Sequence, residues 1–337
     1  MPALVKIGVI GLGRMGQLFT RMLVSQINGV GLHAVADTNE QACSQVVDEL
    51  GVPYAFSDPY ELIALSELDA VVITTPTSTH ADLVHAVAQA GKAIFCEKPL
   101  ALTLDETRSA LEAVERAQVP LQVGFMRRFD TAYQKAKKLI DSGQIGYPVT
   151  FKSIGRDPFC PRSEYADPTK SGGLILDMGI HDFDLARWLM GSEVERVTAE
   201  GTTMVCKVLE SVGDIDNAVI NLRFVSGALG NVEVSRNAFY GYDIRTEVLG
   251  SEGAVIIGAH QHTPLLLLTR AGARYDTTPY FMERFGDAYR TQLQHFIDCV
   301  SSGQPPLVTG DDALAAYEIG VAATQSYQTG QPVSLQR

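Results

Sequence analysis

A glycine-rich turn near the N-terminus constrains the fold of this chain more than any other feature. Residues 11–16 read Gly-Leu-Gly-Arg-Met-Gly, a G-x-G-x-x-G pattern that follows a strand-like apolar run and opens a helix. In this context the glycines are typical of a turn that brings backbone N–H groups to a dinucleotide pyrophosphate. The motif therefore predicts a nucleotide-binding α/β fold. The residues expected at the cofactor are Gly11, Gly13, Arg14, Met15 and Gly16.

An acidic residue follows at the distance that this kind of fold requires. Asp37 closes the apolar run 32–36. It lies roughly 20 residues past the last glycine, where a carboxylate binds the adenosine ribose hydroxyls. A carboxylate here would repel the 2′-phosphate of NADP, and the next residues, Thr38 and Asn39, bring no arginine to offset it. The sequence therefore predicts NAD in preference to NADP.

Two rhythms of secondary structure divide the chain. Up to about residue 125, strand candidates alternate with amphipathic stretches, which predicts a parallel sheet covered on both faces. Beyond about residue 148, a helix over roughly residues 177–190, several short alternating runs and two closing helices predict an α+β arrangement. We therefore predict a Rossmann NAD-binding domain over residues 1–125 and an α+β domain with an open antiparallel sheet over residues 126–337. The strand candidates are residues 5–10, 32–36, 70–74, 93–96, 121–123, 194–203, 218–224, 230–235, 244–249 and 265–269.

Charge and cysteine usage limit which partners and which cellular compartment we expect for the protein. The formal net charge is −12 and no basic patch offsets it, so nucleic acid is not an expected partner. No apolar run approaches the roughly 20 residues of a membrane helix. The five cysteines are scattered and never spaced as C-x-x-C, and no export signal precedes the first strand. These features are typical of a cytoplasmic protein with reduced cysteines and without a metal cluster.

Two polar segments follow strands at the predicted carboxyl edge of the parallel sheet, where ligands of such sheets bind. In the loop 74–80 the candidates are Thr75, Thr77 and His80. They either contact the nicotinamide ribose or cap the N-terminus of the next helix. Glu97-Lys98-Pro99 follows the strand 93–96. Glu97 is expected at a cofactor ribose. Lys98 is expected to hold a substrate hydroxyl and to stabilise a developing alkoxide.

The chain between residues 172 and 184 carries a second set of candidates. Asp177 and His181 are four residues apart and would share one face of a helix. A histidine titrates near neutrality and can take a hydroxyl proton during hydride transfer, with the aspartate orienting it. A core histidine paired with a neighbouring carboxylate explains the spacing equally well. A zinc site has less support, because no cysteine or further histidine lies at ligand spacing.

Taken together, the glycine turn, Asp37, Glu97-Lys98-Pro99 and the Asp177…His181 segment resemble the Gfo/Idh/MocA oxidoreductases over nearly the whole chain. Within that family the likeness is to the inositol dehydrogenases. It is carried by residues 156–158, 171–173, 177–184, 240–243 and 283–289. The resemblance implies a homo-oligomer, a dimer or tetramer, built through the C-terminal sheet. It also implies Lys98, Asp177 and His181 as the catalytic group, and Arg127, Asp157, Tyr240 and Tyr242 beside the substrate.

The resemblance further implies NAD-dependent oxidation of a secondary hydroxyl of a small cyclic polyol, with myo-inositol giving the 2-keto product. Three alternatives stay open: another inositol isomer or a pyranose sugar as substrate, a non-catalytic NAD-binding sensor, and an oxidoreductase with a permanently held cofactor. Two departures from the family pattern bear on the substrate. Gly179 stands where these enzymes often carry threonine, and residues 160–165 are only loosely similar.

Overall fold

The computed structural model describes residues 4–162 and 166–335, and these residues pack as two compact units. The first unit contains residues 4–126 and 289–314, and the second contains residues 127–288 and 315–335. The chain therefore leaves the first unit, builds most of the second, and returns to the first. The predicted division into residues 1–125 and 126–337 instead places the returning segment in the second domain. A hydrophobic pattern shows that a segment is helical but does not show which core it joins.

Six described strands form the sheet of the first unit. They are β1 (Val5–Ile10), β2 (Val30–Ala36), β3 (Tyr54–Phe56), β4 (Ala70–Ile73), β5 (Ala93–Cys96) and β6 (Leu121–Val123). Their order is β3-β2-β1-β4-β5-β6, and every neighbouring pair is parallel. The order reverses between β1 and β4, and dinucleotides bind at such a switch point. The predicted Rossmann fold is confirmed.

The helices of this sheet begin where local capping chemistry places them. They are α1 (Arg14–Ser25), α2 (Glu40–Leu50), α3 (Pro59–Ile63), α4 (His80–Gln89) and α5 (Leu104–Ala117), with a 3₁₀ turn at Thr77–Thr79. The side chain of Asn39 accepts hydrogen bonds from the first N–H groups of α2. Thr103 and Glu106 form a capping box at the start of α5. Such caps satisfy N–H groups that have no partner within a helix.

A seven-stranded sheet of described strands forms the core of the second unit. Its members are β7 (Pro148–Arg156), β8 (Val194–Thr202), β9 (Asn217–Phe224), β10 (Leu229–Ser235), β11 (Asp243–Gly250), β12 (Ala254–Ile257) and β15 (Val333–Ser334). The order is β12-β11-β7-β10-β9-β8-β15, and β7 and β10 are parallel while the other pairs are antiparallel. The predicted α+β class with an open sheet is confirmed, with one parallel pair where we expected none. The prediction lacked β7, the strand that makes this pair.

The remaining elements correct two details of the prediction. The helices are α6 (Thr131–Asp141), α7 (Pro168–Ser171), α8 (Gly173–Asp177), α9 (Ile180–Met190), α10 (Phe281–Ser302) and α11 (Gly310–Thr329), with 3₁₀ turns at Met126–Phe129 and Lys207–Val212. The single helix expected over residues 177–190 is divided between α8 and α9. The strand expected over residues 265–269 belongs to a separate hairpin of β13 (Leu267–Thr269) and β14 (Gly272–Arg274). Among the described helices, none has the length and apolar character needed to cross a membrane.

Two of the five cysteines form a disulfide, Cys160 with Cys206. The expectation that all cysteines are reduced is wrong for this pair. The partners are 46 residues apart in sequence, and the fold brings them together after β7 and after β8. Cys43, Cys96 and Cys299 are buried thiols.

Candidate active site

The glycine turn between β1 and α1 is tightly packed on one side and open on the other. Gly11 has φ +91°, a left-handed conformation that glycine adopts without strain. A Cβ at Gly16 would run into the carbonyl oxygen of Gly11, whereas a Cβ at Gly13 would meet no described atom within 4 Å. Arg14 and Met15 begin α1, the first exposed and the second half-buried. The turn therefore offers an open cradle at Gly13, at a helix N-terminus that no described side chain caps, and this fits a dinucleotide pyrophosphate.

The carboxylate of Asp37 is held beside this turn. Its Oδ2 accepts a hydrogen bond from the N–H of Leu12 at 2.5 Å, and its Oδ1 accepts one from the N–H of Asn39 at 2.8 Å. These two bonds fix the carboxylate at the carboxyl end of β2, next to the open cradle. This is where a ribose-binding acid of a Rossmann domain stands.

Glu97 contributes a buried carboxylate oxygen that lacks a described hydrogen-bond partner, Oε1. The carboxyl group lies against Gly124, where a Cβ would come within 2.9 Å of it. Burial raises the pKa of Glu97 to about 7, and the positive charge of Lys98 partly opposes this rise. Buried polar atoms in native proteins find partners, so a ligand hydroxyl would suit this oxygen. The residues of the first unit therefore fit NAD.

Both ring nitrogens of His80 lie close to main-chain carbonyl oxygens. Its imidazole is buried, with Nδ1 2.8 Å from the carbonyl oxygen of Pro99 and Nε2 2.8 Å from that of Thr75. Both ring nitrogens thus face the protein, and burial lowers the pKa of the imidazole. His80 connects the loop after β4 with the segment after β5 instead of presenting a nitrogen to a ligand. The nearby Thr75 hydroxyl accepts a hydrogen bond from Thr79 at 2.7 Å, and Thr77 begins the 3₁₀ turn.

Asp177 and His181 keep the predicted spacing although the predicted helix is divided. Asp177 ends α8, and His181 is the second residue of α9. Met178 (φ −93°, ψ −50°) and Gly179 (φ −64°, ψ −22°), which connect them, both have right-handed helical angles. Residues four apart in such a path lie on the same side, one turn from each other. Both side chains are half-buried, so each is accessible to a ligand.

Two of the remaining candidates, Asp157 and Tyr240, lie near the carboxyl ends of β7 and β10. Because these strands are parallel, both end at the same edge of the sheet, and β11 begins there. Asp157 follows β7, where its N–H donates to the carbonyl oxygen of Ser235 at 2.8 Å. The exposed Tyr240 donates its hydroxyl proton to Asp243 at 2.6 Å and accepts from Arg156 at 2.9 Å. A polyhydroxylated ligand could meet several polar groups at this edge.

Two candidates in the second unit are buried more deeply than expected. Arg127 is 3% exposed, and its Nη1 lies 2.6 Å from Oδ1 of Asp182. Burial alone would lower the pKa of Arg127, but the charge of Asp182 raises it overall. Tyr242 is also buried, its ring meets that of Phe285, and burial raises the pKa of its phenol. Contact of either residue with a substrate stays a prediction.

Sequence analysis did not single out Arg236, which lies against Asp177. Its Nη2 is 3.2 Å from Oδ2 of Asp177, and its side chain is buried. The only local signal is its position directly after an apolar strand. Residues 160–165 are only loosely similar to the family pattern, and three of them, residues 163–165, lie outside the described part of the chain.

Two family models cover most of the chain. The model described as "Oxidoreductase family, NAD-binding Rossmann fold" matches residues 5–125, and that described as "Oxidoreductase family, C-terminal alpha/beta domain" matches residues 137–335. The chain belongs to the Gfo/Idh/MocA oxidoreductase family. The predicted family and the cofactor NAD are thereby confirmed. The predicted class of NAD-dependent dehydrogenase is confirmed by relatives that are inositol dehydrogenases.

Relatives of this Gfo/Idh/MocA oxidoreductase are similar over nearly their full length. The scyllo-inositol 2-dehydrogenase (NAD(+)) of Bacillus subtilis is 44% identical, over 98% of this chain and 96% of that protein. The myo-inositol 2-dehydrogenase of Thermotoga maritima is 42% identical, over 98% of both chains. The crystal structure of Lactobacillus casei scyllo-inositol dehydrogenase with bound NAD(H) and scyllo-inositol has a TM-score of 0.94 and 29% identity, covering 98% of this chain and 99% of that chain.

Proposed function

We propose that this enzyme oxidises a secondary hydroxyl of a cyclic polyol, myo-inositol, to the 2-keto product, with NAD as the acceptor. The observation that carries the proposal is the identity of 42% over 98% of both chains to a relative named for myo-inositol oxidation. That similarity spans the glycine turn and the Asp177–His181 segment alike. A sensor would need the nucleotide turn but would have no use for an acid–base pair at the substrate.

In this proposal the first unit binds NAD. The turn at Gly11, Gly13 and Gly16 holds the pyrophosphate, with Arg14 and Met15 beside it. Asp37 binds the adenosine ribose, and Glu97 binds a ribose hydroxyl through its buried Oε1. Thr75 and Thr77 border the nicotinamide side, with His80 keeping their loop in place. A nicotinamide held there would supply the acceptor for a hydride.

The chemistry on the substrate falls to Lys98, Asp177 and His181. The carbon-bound hydrogen leaves with both electrons of its bond, and the hydroxyl proton passes to a ring nitrogen of His181. The ammonium group of Lys98 stabilises the oxygen while negative charge develops on it. The carboxylate of Asp177 orients the imidazole and stabilises the imidazolium that forms. Their positions within each unit, at a strand end for Lys98 and one helical turn apart for the other two, support these roles.

Four residues of the second unit are proposed to recognise the substrate hydroxyls: Arg127, Asp157, Tyr240 and Tyr242. Support comes from the edge where β7 and β10 end, where the N–H of Asp157 donates to Ser235 and the neighbouring Arg156 donates to the hydroxyl of Tyr240. Arg127 and Tyr242 are both buried, so each would offer a substrate only a small part of its side chain.

We further propose that the enzyme is cytoplasmic and forms a homo-oligomer, a dimer or tetramer. Residues alternate between buried and exposed along β9, so one face of the sheet is open. Val219, Leu249 and Ile256 are exposed apolar side chains on the strands of this sheet, and such side chains favour association. The thiols of Cys43, Cys96 and Cys299 favour a reducing compartment, whereas the disulfide does not. Light scattering and cell fractionation test the two parts separately.

A second candidate substrate has specific support. The Bacillus subtilis relative, at 44% identity, is named for scyllo-inositol, an isomer that differs from myo-inositol in the orientation of one hydroxyl. A pocket distinguishes such isomers by a few hydrogen bonds, because a missing partner leaves a buried polar group unpaired.

Absorbance of the reduced cofactor tests the proposal directly. The purified protein is mixed with NAD and, in separate wells, myo-inositol, scyllo-inositol and several aldoses. Rapid reduction with myo-inositol and little with glucose is the expected result. Faster turnover of scyllo-inositol would favour the second candidate. If no polyol causes reduction of NAD although calorimetry shows that NAD binds, the enzymatic proposal is contradicted and a sensor is favoured.

A further inference from the structure

Behind the accessible carboxylate of Asp177 lies a buried arginine. Arg236 follows β10 directly, and its side chain is 3% exposed. Its Nη2 donates to Oδ2 of Asp177 over 3.2 Å, and its Nη1 donates to Oδ2 of Asp214 over 2.8 Å. One guanidinium therefore serves two carboxylates. The side chain of Asp214 is 4% exposed, whereas that of Asp177 is 39% exposed.

The same two residues hold both ends of helix α8. Oδ1 of Asp214 accepts a hydrogen bond at 2.9 Å from the N–H of Leu174, in the first turn. Arg236 holds the carboxylate of Asp177, the last residue. A helix of five residues is not stable alone, because nucleation is costly and few hydrogen bonds repay it. The position of Asp177 therefore depends on contacts from outside the helix.

Arg236 is itself fixed at its main chain. Its N–H donates to the carbonyl oxygen of Asp216 at 2.9 Å. The carboxylate of Asp216 in turn accepts from the N–H groups of Val205 and Cys206, at 2.6 and 2.5 Å. A buried arginine that is held at both its backbone and its guanidinium has little freedom to follow a moving partner. Asp177 is therefore held against a rigid group.

The balance of charge in this cluster is informative. Burial raises the pKa of Asp214, and the charge of Arg236 opposes that rise. With Asp214 ionised, the single cation is already neutralised by a carboxylate that no ligand reaches. The cluster of Arg236, Asp214 and Asp177 then carries one net negative charge, and the accessible part of it is Asp177. A negative charge on Asp177 would stabilise the imidazolium of His181, which lies one helical turn away.

We propose that Arg236 is a positioning residue for the oxidation, acting through Asp177. It holds the Asp177 carboxylate in one orientation toward His181, and Asp214 neutralises the guanidinium so that Asp177 keeps its negative charge. This inference rests on the proposed function, because it assigns Arg236 to the proton transfer proposed for His181. Arg236 touches neither substrate nor cofactor in this scheme.

The first test uses Arg236→Ala, Arg236→Lys and Asp214→Asn, each checked for folding by circular dichroism. We expect kcat of Arg236→Ala to fall on the order of 10²-fold, the scale of a misplaced catalytic group. The dissociation constant for NAD should stay unchanged, and millimolar guanidinium should restore part of kcat. Arg236→Lys should retain more activity than alanine, because one ammonium replaces part of the contact. Asp214→Asn should also lower kcat, because Arg236 then neutralises Asp177.

A matched control is Arg187→Lys, which alters a two-pronged arginine–carboxylate pair with Glu193 in the same unit. Its kcat should stay near that of the unchanged enzyme. If folded Arg236→Ala keeps its kcat, or if NAD affinity falls with kcat and guanidinium restores neither, the inference is overturned.

A second readout separates this inference from the proposed function. Crystal structures of the unchanged protein and of Arg236→Ala are compared at the Asp177 carboxylate. A rotated or disordered carboxylate in the variant supports positioning by Arg236, even if no polyol is oxidised. Absence of polyol oxidation would contradict only the proposed function. A carboxylate that stays in place overturns the inference, whatever the activity.

Discussion

The guanidinium of Arg127 lies 2.6 Å from the carboxylate of Asp182, and both side chains are buried. The hydroxyl of Ser153 donates to the same carboxylate oxygen at 2.5 Å. Asp182 thus draws α9, β7 and the turn at Met126–Phe129 together. A buried pair of this kind contributes little over an apolar pair of equal size but is costly to break on one side.

Arg127→Met should therefore destabilise the protein by about 3–5 kcal/mol, because it leaves the carboxylate of Asp182 buried without its cation. Urea unfolding followed by circular dichroism measures the loss. The double variant Arg127→Met with Asp182→Asn should lose less, since no unpaired charge remains. A single variant as stable as the unchanged protein would show that water reaches Asp182.

Replacement of the proposed base should reduce turnover without harming the fold. His181→Ala should lower kcat on the order of 10²-fold or more, the scale of a lost general base. Steady-state kinetics with NAD and the best polyol provide the measurement. His85→Ala serves as control, because His85 lies on α4, where its Nε2 is 3.1 Å from the hydroxyl oxygen of Ser109. Near-normal turnover of His181→Ala would remove His181 from the mechanism.

The first unit could be predicted closely because its signals are local. The bounds of β5 and β6 agree with the prediction, since each short strand is followed directly by a polar or turn residue, Glu97 or Gly124. The short strand β3 was not predicted, because three residues are too few to show the period of a strand. Burial of both faces of a parallel sheet makes its central strands easy to recognise.

The second unit was harder because its decisive contacts are distant in sequence. Arg236 lies 59 residues from Asp177, and nothing near either residue indicates the other. Only the parallel pairing of β7 with β10 places the residues after these strands at one edge. The spacing of Asp177 and His181 is local, and that part of the site was accessible to sequence analysis.

Glu97 should make stability depend on pH in a defined direction. Burial raises its pKa in the folded state to about 7, from an ordinary value of 4.5. The unfolded chain therefore loses the proton first, and the folded state loses stability as pH rises from the ordinary value to about 7. The full loss is no more than about 3 kcal/mol, because each pKa unit corresponds to 1.36 kcal/mol.

Glu97→Gln lacks this titration, so its melting temperature should rise relative to that of the unchanged protein between about pH 5 and about pH 8. Differential scanning fluorimetry without NAD measures both proteins across this range. Parallel curves for the two proteins would show that Glu97 is already hydrated in the free protein and that its pKa is not raised.

The disulfide should stabilise the second unit. Cross-linking cysteines 46 residues apart removes chain entropy from the unfolded state, worth about 4 kcal/mol by the loop-closure relation. Reductant should therefore lower the melting temperature of the unchanged protein. The variant with Cys160→Ser and Cys206→Ser should have the melting temperature of the reductant-treated unchanged protein. Reductant should not change that temperature. Thiol titration of the denatured, unreduced protein should find three thiols, the five cysteines less the two that are joined; five would exclude the bond.

The return of residues 289–314 to the first unit bears on how the chain folds as it is made. Phe296 packs against Phe95, and Tyr289 against Phe19, with ring centroids 5.8 and 6.0 Å apart. A ribosome synthesises residues 127–288 before it reaches either of these later aromatic residues. Domains usually fold in the order of synthesis, N-terminal first. Here the core of the first unit stays incomplete until almost nine-tenths of the chain has been translated. A fragment that ends after β6 lacks Tyr289 and Phe296, which complete that core.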